Sequence, residues 1–236
     1  MNKKPIISVI VPAYNEELYI AACLDSLKEQ QTSVSYEIIV ADNNSSDRTV
    51  SIAKKCGAQV TVAKQKGYAH TATTAISHAH GRIIAMTDAD TLVPPLWLST
   101  ISEAFKKYPD VVAVGGPFRY YDGPGYLRFF IDNINRIYPR LLTATICGMN
   151  MAFRREAYQA VGGFSPDINL QADTYLGQKL SKLGKLYFLK NNTVVSSARR
   201  YRSLSQSIPE SLTRMVNALA IRIGMPTLFK KQIDYR

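Results

Sequence analysis

Short apolar runs alternate with amphipathic stretches through the first half of the chain. Ile6–Val11 is apolar but for Ser8 and predicts a buried strand. Asn15 stands where a helix N-cap belongs, ahead of Ile20, Cys23, Leu24 and Leu27 at helical spacing. Tyr36–Ala41 predicts a second strand, and Ser46 a cap for a helix over Asp47–Lys55. A third strand over Gln59–Ala63 leads to a helix from about Tyr68 to Ala79, which Gly81 stops before a fourth strand, Ile83–Thr87. After Pro94-Pro95 come a helix to about Lys107 and a strand over Val111–Gly115. Alternation at this spacing predicts a mostly parallel sheet with helices on both faces.

The second half is less regular. Gly123–Thr143 carries an apolar helical stripe (127, 130, 131, 134, 137, 138, 141 and 142) with Arg128, Arg136 and Arg140 between. Gly148–Phe153 predicts a strand, Arg155–Val161 a short helix, and Gly162-Gly163-Phe164 a turn. Asp173–Leu183 predicts a helix with Gly184 as its stop. Pro209–Ile223 is amphipathic through Leu212, Met215, Val216, Leu219 and Ile223, with Arg214 and Arg222 nearby.

Composition narrows the class. A chain of 236 residues with 46% hydrophobic and 20% charged residues fits one large α/β domain, alone or with a short appendage. Cys23, Cys56 and Cys147 are odd in number and form no CxxC motif, which argues against a disulfide framework or zinc site and for a reducing compartment. Net charge is +11, which favours an acidic partner. The excess is concentrated late: from Arg199 to Arg236, eight basic residues stand against Glu210 and Asp234. No helix-turn-helix, zinc or RNA-binding motif supports nucleic acid as that partner. Lys3-Lys4 before an apolar run imitates a signal peptide, but the run is short and Pro12 cuts it, so a buried strand is expected instead. No run approaches the ~18 apolar residues a spanning helix needs, so membrane contact is expected to be peripheral.

In open parallel sheets, ligands bind beyond the carboxyl ends of the strands. Three such ends carry polar residues: Pro12-Ala13-Tyr14-Asn15-Glu16, Asp42-Asn43 and Asp88-Ala89-Asp90. On an extended segment, Asp88 and Asp90 would point the same way, and a hard divalent cation between them would also bind diphosphate oxygens. Two solvated turn aspartates is the other reading. Tyr14 can stack on a base or pack in a strand-to-helix turn. Asp42 can accept a uracil N–H or cap the Ser45-Ser46-Asp47 turn. Asp173 can serve as a base reaching into the cleft or cap its own helix. Arg199, Arg200 and Arg202 can grip phosphates or form a solvated basic run. His70, His78 and His80 have no metal-binding spacing and read as surface residues.

The ordered set of these segments resembles family 2 glycosyltransferases of the GT-A fold. The matching pieces are Ser8–Glu17, Glu37–Asn43 with Ser45 and Asp47, Lys66-Gly67, Ala79-His80-Gly81, Asp88-Ala89-Asp90, Asn150–Arg155, Gly162-Gly163-Phe164, Asp173 with Leu176-Gly177, and Ser197-Ala198-Arg199-Arg200. The resemblance implies a Rossmann-like, mostly parallel sheet over 1–200, followed by a helical basic extension over 201–236. It implies nucleotide-sugar contacts from Pro12, Tyr14, Glu16, Asp42, Lys66, Gly67, Asp88, Ala89, Arg199 and Arg200. Asp88 and Asp90 would hold Mn2+ or Mg2+, and Asp173 would be the general base of an inverting displacement. The implied donor is a UDP-sugar, with GDP open, and the acceptor a hydroxyl of a glycan or lipid-linked sugar. The expected location is cytoplasmic, with anionic lipid on the inner face of the plasma membrane as a peripheral partner.

Three departures qualify the match. The family often has Glu-Asp at the base motif, where this chain has Ala172-Asp173. The second acid after strand two is Asn43, and the Gln/Arg-x-x-Arg-Trp motif of processive synthases is replaced by Arg199-Arg200-Tyr201-Arg202. Two other functions compete. Nucleotidyl transfer lacks its Gly-rich phosphate loop here, and a donor-binding protein without turnover is motivated only by Ala172.

Overall fold

A computed structural model describes residues 4–127, 129, 131, 132, 146–168, 170–201, 212–214, 216–221, 225 and 228. The strands are β1 (Ile7–Ala13), β2 (Tyr36–Asp42), β3 (Gln59–Val62), β4 (Ile83–Met86), β5 (Thr91–Leu92), β6 (Val111–Gly115), β7 (Phe118–Tyr120), β8 (Met151–Arg154), β9 (Lys185–Phe188) and β10 (Val194–Ser196). The helices are α1 (Ile20–Lys28), α2 (Thr49–Lys55), α3 (Tyr68–Ser77), α4 (Trp97–Lys107), α5 (Arg155–Ala160) and α6 (Ala172–Leu180).

Seven strands form the main sheet in the order β3-β2-β1-β4-β8-β6-β9. β8 runs antiparallel to both β4 and β6, and the other neighbours are parallel. Chain order reverses beside β1: β2 and β3 lie on one side, β4 on the other. Such a reversal opens a crevice at the strand ends. β1 and β4 are apolar but for Ser8 because both faces are covered. Ile7, Val9 and Val11 enter one buried cluster with Leu24, Trp97 and Ile101. Ile10 enters the opposite one with Ile39, Met86 and Phe153. Burying each such side chain stabilises the fold by about 1.5–3 kcal/mol relative to exposure.

A three-stranded sheet, β5-β10-β7, flanks the crevice. Buried amides tie the two sheets together. Trp97 Nε1 donates to Asn150 Oδ1 at 2.9 Å, and Asn150 Nδ2 donates to the Pro117 and Asn192 carbonyls at 2.8 and 2.7 Å. This network gives the Asn150 of the motif Asn150–Arg155 a structural role.

Several expectations change. α1 begins at Ile20 after Tyr19, so Asn15 is not its cap. Asn15 instead takes a left-handed φ of 53° and accepts the Ser46 N–H at 2.9 Å. Ser46 does not cap α2; Asp47 Oδ1 accepts the Thr49 N–H at 2.9 Å at that helix start. α3 ends at Ser77, before Gly81. Gly81 is required by close passage of β1, since a Cβ there would stand 2.5 Å from the Ser8 nitrogen. The stripe over Gly123–Thr143 falls largely outside the described residues, though Leu127 and Ile131 are buried with Tyr120 and Ala198. In the C-terminal stretch, Ala220 and Ile221 are buried and Gln178 Nε2 bonds the Ile221 carbonyl. Met215 and Ile223 of the expected apolar set lie outside the described residues.

Candidate active site

The ends of β1 and β2 are laced together. The N–H groups of Asn15, Glu16 and Glu17 donate to Ser45 Oγ, Thr49 Oγ1 and Asp47 Oδ2 at 2.9, 2.7 and 3.0 Å. This lacing sets Pro12, Tyr14 and Glu16 against Asp42. Asp42 is buried; its Oδ2 accepts the Ser45 N–H at 3.1 Å, as the turn-cap reading expected. Its Oδ1 is buried with no hydrogen-bond partner among the described residues. A buried carboxylate oxygen left in that state is suited to a ligand N–H. Lys66 is exposed, and Gly67, at φ 125°, occupies the turn into α3 that a side chain would strain.

Asp88-Ala89-Asp90 follows β4, but the triplet is a turn rather than an extended segment. The Thr91 N–H donates to the Asp88 carbonyl at 3.1 Å and bends the chain. Ala89 is buried beneath it, and Cys23 Sγ lies 3.5 Å from the Asp88 carbonyl oxygen. Asp90 faces the second sheet. Its Oδ1 accepts from Ser196 Oγ at 3.2 Å, its carbonyl accepts the Ser197 N–H at 3.2 Å, and its Oδ2 lies 3.0 Å from Arg199 Nε.

Arg199 is not part of a solvated run. Its side chain is 14% exposed, ion-paired with both Glu16 and Asp90, and its guanidinium lies 4.6 Å over the Tyr19 ring. Burial opposes its charge, but the Glu16 hydrogen bond and the Asp90 charge outweigh that and raise its pKa. Asp122 fixes the turn that carries it, accepting from Ser197 Oγ at 2.8 Å and from the Ala198 N–H. The Arg200 side chain and Arg202 lie outside the described residues.

Asp173 sits in the first turn of α6. Its Oδ1 accepts the Thr174 N–H at 2.7 Å and its Oδ2 the Gly148 N–H at 2.6 Å. The second bond, from a residue 25 positions away, fixes the carboxylate toward the segment before β8. Ala172 is buried among Phe164, Ile168 and Leu176, so its small apolar side chain fits a core position. The structure thus joins Glu16, Asp90 and Arg199 directly, and Asp173 to Gly148. Ser196, Asp122, Gly148 and Tyr68 also border these groups, and no spacing pattern in the sequence singles them out.

Among the described residues, no group of three or more His, Cys, Asp or Glu side chains is arranged to hold a metal. Asp88 and Asp90 offer two carboxylates one residue apart. With the Asp90 carboxylate engaged by Arg199, that set would take a hard cation only by loosening the ion pair, its remaining oxygen ligands coming from a bound diphosphate.

Residues 8–162 match the family model described as Glycosyl transferase family 2. The chain is 28% identical over 193 residues to chondroitin synthase of Escherichia coli, covering 78% of this chain and 28% of that protein. It spans between about a fifth and a half of the length of the curated relatives it matches. Among solved structures it is similar to the mannosyltransferase PcManGT from Pyrobaculum calidifontis in complex with GDP-Man and Mn2+. That likeness has a TM-score of 0.73 and 26% identity, over 97% of this chain and 68% of that one. S. aureus TarS 1-349 in complex with UDP-GlcNAc matches in fold alone, with a TM-score of 0.70 and 19% identity over 95% of this chain and 68% of that one. The expected GT-A architecture, a mostly parallel sheet flanked by helices, is common to these neighbours and this chain.

Proposed function

This chain belongs to glycosyl transferase family 2, and we propose that it is an inverting, non-processive glycosyltransferase moving a sugar from a nucleoside-diphosphate sugar to a hydroxyl of a glycan or lipid-linked acceptor. The observation that carries the reading is the buried, unpartnered Asp42 Oδ1 at the carboxyl end of β2, the Asp88–Asp90 turn following β4 two strands over and Asp173 being tethered to Gly148. Asp42 Oδ1 accepts the imide N–H of uracil, which favours UDP. Pro12, Tyr14, Glu16, Lys66 and Gly67 border the nucleoside; Ala89, Arg199 and Arg200 border the diphosphate.

Asp88 and Asp90 would hold a divalent cation, Mn2+ or Mg2+, which when bound neutralises charge on the departing diphosphate. Asp173 takes the proton of the acceptor hydroxyl as its oxygen bonds to the anomeric carbon and the bond to diphosphate breaks. The Gly148 N–H holds the carboxylate in place for that transfer. A domain over 1–200 would carry this chemistry. In the extension over 201–236, exposed Leu212, Val216 and Leu219 near Arg214 support contact with an anionic membrane on its cytoplasmic face. Flotation with anionic liposomes at low salt tests that contact, and failure to float removes it.

A thermal-shift screen of UDP, GDP and their sugar conjugates, with and without Mn2+, tests the main reading. Metal-dependent stabilisation by at least one nucleotide sugar is expected, rising with ligand concentration. Stabilisation by none of them would overturn it.

A further inference from the structure

Tyr68 opens α3, and its ring packs edge-on against Phe164 with centroids 5.8 Å apart. Its hydroxyl is buried and has no hydrogen-bond partner among the described residues. Buried hydroxyls are nearly always paired, so an orphan of this kind calls for a ligand or another explanation. The hydroxyl lies against Gly148: a Cβ there would stand 2.6 Å from the phenol oxygen and 3.4 Å from Asp173 Oδ2. One glycine therefore borders both groups, and its N–H holds the carboxylate at 2.6 Å. Any side chain at 148 would fill the space into which the phenol points.

The electrostatics agree with the geometry. Burial pushes the Tyr68 phenol well above its ordinary pKa, and the charges of Asp88 and Asp173 push it the same way. Burial raises the neighbouring Cys147 thiol too, again with Asp173 and Asp88 adding to it. Tyr68 is thus a neutral hydrogen-bond donor whose hydroxyl lies beside the glycine that holds the Asp173 carboxylate. In an in-line displacement, the base and the departing diphosphate lie on opposite sides of the anomeric carbon. A hydrogen-bond donor beside the base lies on the side of the anomeric carbon where the sugar is transferred, away from the nucleoside.

We propose that Tyr68 is a sugar-binding residue of the donor site, its O–H donating a hydrogen bond to a hydroxyl of the transferred sugar. A sugar hydroxyl suits this position because it accepts from the phenol and donates onward to a carboxylate. The inference rests on the donor-site reading above. It adds a contact from α3 that discriminates a nucleotide sugar from the bare nucleotide.

Tyr68→Phe keeps the ring against Phe164 and removes only the oxygen. Calorimetric titration with Mn2+ present would compare UDP and GDP with UDP-glucose, UDP-N-acetylglucosamine and GDP-mannose, on wild type and variant. The variant is expected to melt no lower than wild type, because its free form no longer buries an unsatisfied hydroxyl. It should bind the nucleoside diphosphate as wild type does and the matching nucleotide sugar about tenfold more weakly, the size of one hydrogen bond. Equal affinity of wild type and variant for that sugar would overturn the Tyr68 role and leave the donor site standing. Equal loss for nucleotide and nucleotide sugar would make Tyr68 a general structural residue and also overturn it. A wild-type protein that binds no nucleotide sugar would remove the donor-site reading and this one together.

Discussion

Replacing Arg199 with alanine tests whether the crevice is held shut at its outer edge by charge. Arg199, Glu16 and Asp90 have side chains 14%, 5% and 11% exposed, so the cation bridges two carboxylates with little water between. Arg199→Ala leaves both carboxylates uncompensated. Breaking a buried pair in this way costs about 3–5 kcal/mol, and the residual exposure here sets the expectation near the lower end, at about 3 kcal/mol. In a protein of this size each 1 kcal/mol lowers Tm by roughly 2–4 °C, so the expected loss is about 6–12 °C. Arg199→Lys keeps the charge but gives up the two-pronged reach and much of the contact with Tyr19, and should fall between. Adding Glu16→Gln to Arg199→Ala should recover part of the loss, because one stranded charge is gone. Mn2+ should raise the Tm of Arg199→Ala more than that of wild type, since the freed carboxylates then meet a cation without competition. Scanning fluorimetry and urea titration measure each quantity. A loss below about 1 kcal/mol, the value typical of exposed pairs, would refute a buried bridge. So would a double variant no more stable than Arg199→Ala.

Asp173→Asn should lower the rate of sugar transfer by about 10²–10⁴-fold while donor affinity stays within about threefold, as removal of a general base requires; equal transfer by the variant would take the proton-transfer role off Asp173. At the opposite end of the sheet, Glu37 is half-buried and accepts from Ser8 Oγ at 2.6 Å and from the His80 N–H at 2.7 Å. Burial alone would raise its pKa, but the hydrogen bonds from Ser8 and His80 together outweigh it and lower the value. A lowered folded-state pKa means stability that is present above the unfolded carboxyl value, near 4.3, and lost as pH falls through the folded value. Wild type should exceed Glu37→Gln by about 1.5–3 kcal/mol at neutral pH, the worth of hydrogen bonds to a charged group. That gap should narrow below about pH 4.3 in denaturant titrations, and a pH-independent gap would refute the assignment.

The central strands were legible because β1, β4 and the Ile38–Ala41 part of β2 are covered on both faces, which leaves apolar runs broken only by Ser8 in the sequence. The strand-end rule places Asp42 and the Asp88–Asp90 segment beyond the carboxyl ends of β2 and β4 from sequence alone. The second sheet was not legible. β5, β7 and β10 have two or three residues each, too few for a period to register. β8 inserts antiparallel between β4 and β6 after a long excursion, and chain order carries no sign of it. The caps were misread for a related reason: Asn15 and Ser46 are common cap residues, but here they bond to each other across 31 positions.

The second sheet also changes what the Asp88–Asp90 turn is. From sequence, both aspartates read as equivalent cation ligands. In the fold, Asp90 is the contact through which β10 and its following turn reach the main sheet, by its side chain to Ser196, its carbonyl to Ser197 and its charge to Arg199. The charge of Asp88 is felt by Tyr68 and Cys147. Asp90 is therefore already engaged by the second sheet and its following turn. A cation held by both must compete with Arg199 for Asp90, so loading the site and loosening the Glu16–Arg199–Asp90 bridge are one equilibrium. By linkage, a stronger bridge weakens cation binding and a bound cation weakens the bridge. That coupling sets the sign of every metal titration on Arg199 variants: removing the guanidinium must tighten the cation if both contend for the same carboxylate.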